Sequence, residues 1–551
     1  MEKKKIAILS NVTVDLITAK LRKKYDFFIP EGFDTWIQEA INVNSSLYSG
    51  ELDGIVILID GTEARSWKDQ ETAADRLFLW KQAVSAITDK VEAIPVFIST
   101  IDFRENRIKS YSERKSSPEL SFDWYTFIQG LVEQKSNVFV LDIAETILEV
   151  GRKQFYSNKM WYMSSMPYSR DGLASVVKEI DRALDAAFTS RKKIIVLDLD
   201  NTLWGGVIGE DGIEGIELSD HKEGQRFYDF QYQLLKMKER GTVLAINSKN
   251  NEEDAEDAIN NHPNMILRDR DFVSRKINWN NKAQNIKEIA QELNITEGGF
   301  IFIDDNPVER EIVKGECPEI VVPDFPEDTS ELMGFAENIW EEYIRPLRVL
   351  AEDSNKTQMY QSDAKRKREK ADSLNLDDYI ARLGISVDIH RMKPEELDRV
   401  TQLCNKTNQF NLTTKRYTKA EIEKIADQAN NAVYVVHTQD KYGDNGIVSA
   451  VILLGEENTA KIDTFLMSCR VMGRKIEDVI TDAIAASLED KALLIGEYIP
   501  TAKNKPVADL YEKLGFKLVS DEGGHKKYEL DLHGYNKKSL EIFKDIVFDN
   551  N

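Results

Sequence analysis

Two aspartates one residue apart, Asp198 and Asp200, close the apolar run "IIVLDLD" and are followed at once by Asn201, Thr202 and Trp204-Gly205-Gly206. Neighbouring carboxylates raise each other's proton affinity unless a cation neutralises them, and a hard divalent ion such as Mg2+ prefers oxygen ligands. An isolated D-x-D more often does no more than end a strand. Here it has company: Ser248 follows "VLAIN", Lys282 follows "WNN", and Asp304 and Asp305 follow "FIFI". These residues stand at the ends of strand-like runs or the start of a helix, where doubly wound sheets place ligand-binding groups.

That order, D-x-D-x-T, then Ser, then Lys, then D-D, resembles the haloacid-dehalogenase-like (HAD) phosphotransferases, and four motifs in sequence are a specific signal. The resemblance implies that Asp198 is the nucleophile that takes a phosphoryl group. Asp200 would protonate the leaving oxygen and then activate water. Ser248, Lys282 and Thr202 would form the phosphate-binding set, Thr202 also bracing the loop, and Mg2+ would be held by Asp198, Asp200, Asp304 and Asp305. The segment between Asp200 and Ser248 is short and largely claimed by a helix, which leaves no room for a large cap domain. An open site suits a bulky or protein-borne substrate.

A narrower resemblance lies in "DNTLWGGVIGEDGIEGI", "INWNNKAQNI", "FIDDNPVERE", "NKTNQFNLTTKRY" and "FLMSCRVMGRKIE". These blocks resemble FkbH-like proteins, which load a glyceryl unit from 1,3-bisphosphoglycerate onto the phosphopantetheine thiol of an acyl carrier protein. The implied steps are capture of the acyl group as an enzyme thioester, loss of phosphate, and transfer to the carrier. The C-terminal pattern resembles GNAT-type acetyltransferases, whose R-x-x-G-x-G/A loop offers N–H groups to coenzyme A or a pantetheine arm. Arg470, Gly473 and Arg474 match that loop, while Lys475 stands where a small residue is usual. Cys469 precedes it, beside two arginines that favour a thiolate, and is the expected acyl-carrying thiol. Cys404 and Cys317 read as core and loop residues. The alternative reading is a HAD phosphatase fused to an N-acyltransferase that uses acyl-coenzyme A or an acyl carrier protein and acts on a sugar or peptide amine. A pure scaffold is disfavoured by the complete motif set.

The elements that must position these residues are legible as an α/β multidomain chain of 551 residues. Residues 1–185 alternate buried strands ("KIAILS", "GIVILID", "AIPVFIST", "NVFVLD") with helices, an SGNH- or flavodoxin-like α/β domain. It lacks the SGNH catalytic groups, since Val12 takes the serine place and residues 140–190 hold no histidine. It is expected to be inactive. Residues 190–345 read as a HAD-like, Rossmann-type doubly wound domain without a large cap, 346–375 as a charged helical linker, 376–535 as a GNAT-like α+β domain, and 536–551 as a tail. The net charge of -22 argues against nucleic-acid binding, and no run of about 18 apolar residues is present to cross a membrane. Three scattered cysteines, with no disulfide or metal spacing, fit a reducing cytoplasm.

Overall fold

Short apolar strands alternating with amphipathic helices build two parallel sheets, and consecutive strands near the C-terminus build a third, mixed one. The computed structural model describes residues 3–550 except 67–69, 105–107, 109, 113–117, 350–352, 354, 489–490 and 539. The chain divides into two compact units, Met1–Lys192 with Gly334–Val349, and Lys193–Met333 with Leu350–Asn551.

The first unit holds β1 (Lys4–Ser10), β2 (Tyr25–Phe28), β3 (Gly54–Leu58), β4 (Val96–Ser99) and β5 (Val138–Leu141), parallel, in the order β2-β1-β3-β4-β5. Both faces are covered, and β3 and β4 are buried throughout. The second domain was expected to run to 345. Instead the chain leaves the second unit at Met333, and residues 334–349 pack with the first: Leu347 joins one of its apolar clusters, and Arg348 donates to the carbonyls of Ser136, Val132 and Lys135.

The second unit contains β6 (Ile194–Leu197), β7 (Val243–Ser248), β8 (Phe272–Ile277) and β9 (Phe300–Ile303), parallel, in the order β8-β7-β6-β9. The chain reverses direction across the sheet between β6 and β9, the kind of crevice where open α/β sheets bind ligands. β2 and β8 are missing from the sequence reading. Both are edge strands, and "FVSRKI" lacks the continuous apolar run of a central strand.

In the same unit β10 (Ser386–Arg391), β11 (Ala432–Asp440), β12 (Gly443–Gly455), β13 (Thr459–Met467), β14 (Leu493–Tyr498), β15 (Lys517–Glu522), β16 (His525–Asp531) and β17 (Asp545–Asp549) form one eight-stranded sheet. β17 comes from the expected tail and pairs in parallel with β10. The parallel pair β13–β14 is joined only from Thr459/Leu493 to Ile462/Gly496. Beyond that the seam is filled by the chain itself: Leu412 N–H donates to Phe465 O, Met467 N–H to Phe410 O, and Ile499 N–H to Leu412 O. The charged linker does form a helix, Lys356–Ala371, which ties β8 to the mixed sheet. Gln361 donates to Arg270 O and Phe272 O, and the buried Arg366 grips Asp440 at 2.7 and 2.9 Å.

Candidate active site

Strand register places the acidic cluster. Leu197 lies opposite Ile303, so the next residues, Asp198 and Asp304, leave the sheet side by side. Carboxylate oxygens of Asp198, Asp304 and Asp305 all lie within 4.8 Å of one another. The Lys282 ammonium sits 3.0 Å from Asp198 Oδ1 and 2.6 Å from Asp304 Oδ2. Burial opposes its charge, but the two carboxylates outweigh this and raise its pKa. Burial, and then the charge of Asp198, push Asp304 and Asp305 each up to about 6, with Lys282 pulling the other way. Three carboxylates against one ammonium leave two negative charges in excess. An all-oxygen donor set with that excess fits a hard divalent ion such as Mg2+.

Asp200 was expected as a fourth metal ligand, and the structure turns its carboxylate elsewhere. Oδ1 accepts from Trp204 Nε1 (2.9 Å) and from Ile208 N–H (3.1 Å), and Oδ2 accepts from Asn250 Nδ2 (2.9 Å). This explains why a tryptophan follows the motif: fully buried, it aims its single donor at the proposed proton carrier. The two glycines after it are required by close approach. A Cβ on Gly205 would meet the Phe227 ring at 2.8 Å, and Gly206, at φ +90°, would place one 2.6 Å from Asp211 Oδ2. The segment forms a small flap, with Gly205 and Glu217 bridged around a short helix, Ile208–Gly215, kinked at Gly212.

Ser248 ends β7 and is buried, with Asn250 Nδ2 3.4 Å from its Oγ. Thr202 is fully buried, and among the described residues its Oγ1 has no hydrogen-bond partner. It therefore braces the loop through its N–H to Leu199 O and by packing, and does not reach outward to a phosphate. Sequence reasoning missed Asn250 and the buried Gln231, whose amide binds Leu203 O and accepts from Ile266 and Leu267 N–H. For Asn250 the signal was its place two residues past Ser248; for Gln231, inside a helix, there was none.

The loop that delivers Lys282 is locked by asparagines. Asn278 N–H donates to Ser248 O (3.1 Å), Asn278 Oδ1 accepts from Asn280 N–H and from Asn285 Nδ2 (3.0 Å each), and Asn247 Nδ2 donates to Lys282 O (2.9 Å). Asn281 caps the helix Lys282–Leu293 by accepting from Ala283 N–H, a contact of a kind that stabilises a helix by about 1 kcal/mol.

At the other expected site the side chains of Arg474 and Lys475 are held by internal partners. Arg474 is 6% exposed, its Nη1 3.5 Å from Asp440 and its Nη2 donating to Arg470 O. It belongs to the Arg366–Asp440 network, so the expected anion-binding arginine is used internally. Lys475, left-handed at φ 58°, pairs with Asp377. Gly473, at φ +72°, shapes the turn. Arg470 contacts Ser468 Oγ and Met359 Sδ and lines a cavity of about 220 Å3 beside the helix Lys356–Ala371. Cys469 opens the short helical turn Cys469–Val471; its side chain lies outside the described residues. Burial pushes the thiol of Cys404 up to about 12 and raises that of Cys317, and both are core residues. In the first unit Ser10 Oγ donates to Leu58 O at 2.6 Å, with no histidine in residues 1–192 to activate it.

No protein-family model matches the chain, and no curated protein matches it significantly. Among solved structures, the N-terminal part of the protein BF1531 from Bacteroides fragilis, containing a phosphatase domain complexed with Mg, is 26% identical, with 62% of this chain and 94% of that one covered and a TM-score of 0.56. A mutant of the SpeG spermidine N-acetyltransferase from Vibrio cholerae is 12% identical over 27% of this chain and 94% of that one, at a TM-score of 0.21. The protein smu.2055 from Streptococcus mutans is 17% identical over 26% of this chain and 99% of that one, at 0.22. The first likeness shows that this chain contains the fold of a phosphatase domain. Among the described residues no helix is long and apolar enough to cross a membrane.

Proposed function

We propose that the chain is a Mg2+-dependent HAD-type enzyme that removes phosphate from a three-carbon phosphorylated acyl donor, 1,3-bisphosphoglycerate, and loads the glyceryl unit as a thioester onto an acyl carrier protein. The observation that carries the phosphoryl half is the convergence of Asp198, Asp304 and Asp305 around Lys282 at the carboxyl edge of the sheet. The acyl half rests on the FkbH-like sequence blocks.

Mg2+ held by Asp198, Asp304 and Asp305 would offset the charge of both carboxylate and phosphate, so that two anions can meet. Lys282 fixes one oxygen of Asp198, and the other is left to attack phosphorus. The bond from phosphorus to the ester oxygen breaks, and Asp200 gives that oxygen a proton. Asp200 then takes a proton from the water that frees phosphate from Asp198. Trp204, Ile208 N–H and Asn250 hold the Asp200 carboxylate in place throughout. The acyl phosphate needs no further activation: attack by the Cys469 thiolate forms the thioester and expels phosphate, and the carrier's thiol then takes the acyl group.

Incubation of the full chain with 1,3-bisphosphoglycerate and Mg2+ should give a three-carbon acyl adduct by intact-mass measurement, absent in Cys469→Ala. An adduct that persists in that variant sinks the thiol assignment. Phosphate release with neither adduct nor carrier loading would leave a phosphatase joined to a separate N-acyltransferase.

A further inference from the structure

Trp279 is 71% exposed, an unusual setting for the largest apolar side chain. It does not ride on a loose loop. Asn278, Asn280 and Asn281 around it are fixed by the asparagine network and the helix cap described above. The loop's two ends belong to the phosphoryl site: Asn278 N–H is bound to Ser248 O, and Lys282 reaches Asp198 and Asp304. A rigidly presented aromatic gives contact area at little cost in conformational entropy. On the other flank Val308, in the first turn of the helix Pro307–Glu316 that follows β9, is 63% exposed. Apolar groups thus stand off both outer strands of the sheet, on either side of Asp198 and Ser248.

Charge distinguishes what the Trp279 flank can take. The stretch "INWNN" from Ile277 to Asn281 carries no formal charge, so it suits a neutral, amide-bearing chain better than a second phosphate or an ammonium. A free phosphorylated three-carbon acid brings its own carboxylate towards an edge already lined by Asp198, Asp304 and Asp305. Its thioester has lost that charge, and like charges repel most where water is scarce.

Resting on the function proposed above, we propose that Trp279 is a positioning residue for the pantetheine arm of the carrier, so that the phosphate ester is removed after the acyl unit has joined the arm and not, as the order implied by the sequence blocks has it, before transfer to the carrier. In that step water replaces the glyceryl oxygen on phosphorus by way of Asp198. The P–O bond breaks, a glyceryl hydroxyl and inorganic phosphate form, and the C–S bond is untouched.

The test compares kcat/KM of the full chain with Mg2+ for the 3-phosphoglyceryl thioester of pantetheine and for free 3-phosphoglycerate. Wild type should prefer the thioester. Trp279→Ala should lower that preference about tenfold, through KM with kcat retained, and Trp279→Phe should restore most of it. A preference unchanged in Trp279→Ala, equal losses on both substrates, or no preference in wild type overturns the inference while leaving the enzyme's function standing. Hydrolysis of neither substrate by wild type overturns the function and the inference together.

Discussion

Two clusters of charged side chains in one unit meet opposite fates. At the carboxyl edge of β6 and β9, three carboxylates share one lysine and keep an excess of negative charge. At the turn after β13, the arginine that resembled a ligand-binding group, Arg474, is drawn into a network in which Arg366 pairs with both Asp440 and Asp363, two arginines against two carboxylates. Both clusters are largely buried. What separates them is whether the charges cancel inside the protein: a cluster that cancels holds the fold together, and one that does not is waiting for a counterion.

The sharpest way to break that contrast is at Asp198. Asp198→Asn should lower hydrolysis of the phosphate ester, read on free 3-phosphoglycerate, at least about 10^3-fold without unfolding the chain, and chelation of divalent ions should abolish that hydrolysis until Mg2+ is restored. At the other cluster the effect should fall on stability. Asp440→Ala leaves Arg474 buried without its carboxylate and Arg366 with Asp363 alone, and should cost about 3–5 kcal/mol in denaturant unfolding. If Asp440→Ala instead weakens carrier binding at undiminished stability, the turn is a ligand site after all.

A buried carboxylate without a catalytic surrounding gives the control. In the first unit burial pushes Asp60 up to about 6 from an ordinary 3.8. The folded state therefore prefers the protonated form, and its stability is full at low pH and falls as pH rises from about 4 to 6. Asp60→Asn should stabilise the first unit by about 1–3 kcal/mol above pH 7 and by almost nothing at pH 4, read by hydrogen exchange in β3. The smallest expected effect is at the flap. Trp204→Phe removes a donor to Asp200 and should lower kcat about tenfold, an effect smaller than that of Asp198→Asn.

The convergence of Asp198, Lys282, Asp304 and Asp305 was readable in the sequence because each of these groups follows a buried strand or opens a helix. There local pattern fixes position, and parallel register brings Asp198 and Asp304 together. Three things were hidden for stated reasons. The Asp200 carboxylate was taken for a metal ligand because spacing does not reveal that Trp204, Ile208 and Asn250 compete for it. Arg474 matched a motif by type, but its partner Asp440 lies on another strand. Residues 536–551 were read as a tail outside the sheet because a five-residue edge strand, Asp545–Asp549, carries little periodicity. Apart from the edge strands β2 and β8, the two parallel sheets and the mixed character of the third were legible, while the return of residues 334–349 to the first unit depends on long-range packing that no local pattern records.

The central claim is that phosphate removal at Asp198 and acyl loading of a carrier are one process. Intact-mass measurement of an acyl carrier protein after incubation with the full chain, Mg2+ and 1,3-bisphosphoglycerate tests it directly. Wild type should leave a glyceryl group on the carrier and Asp198→Asn a phosphoglyceryl group. A carrier that stays unmodified while wild type releases phosphate would contradict the account.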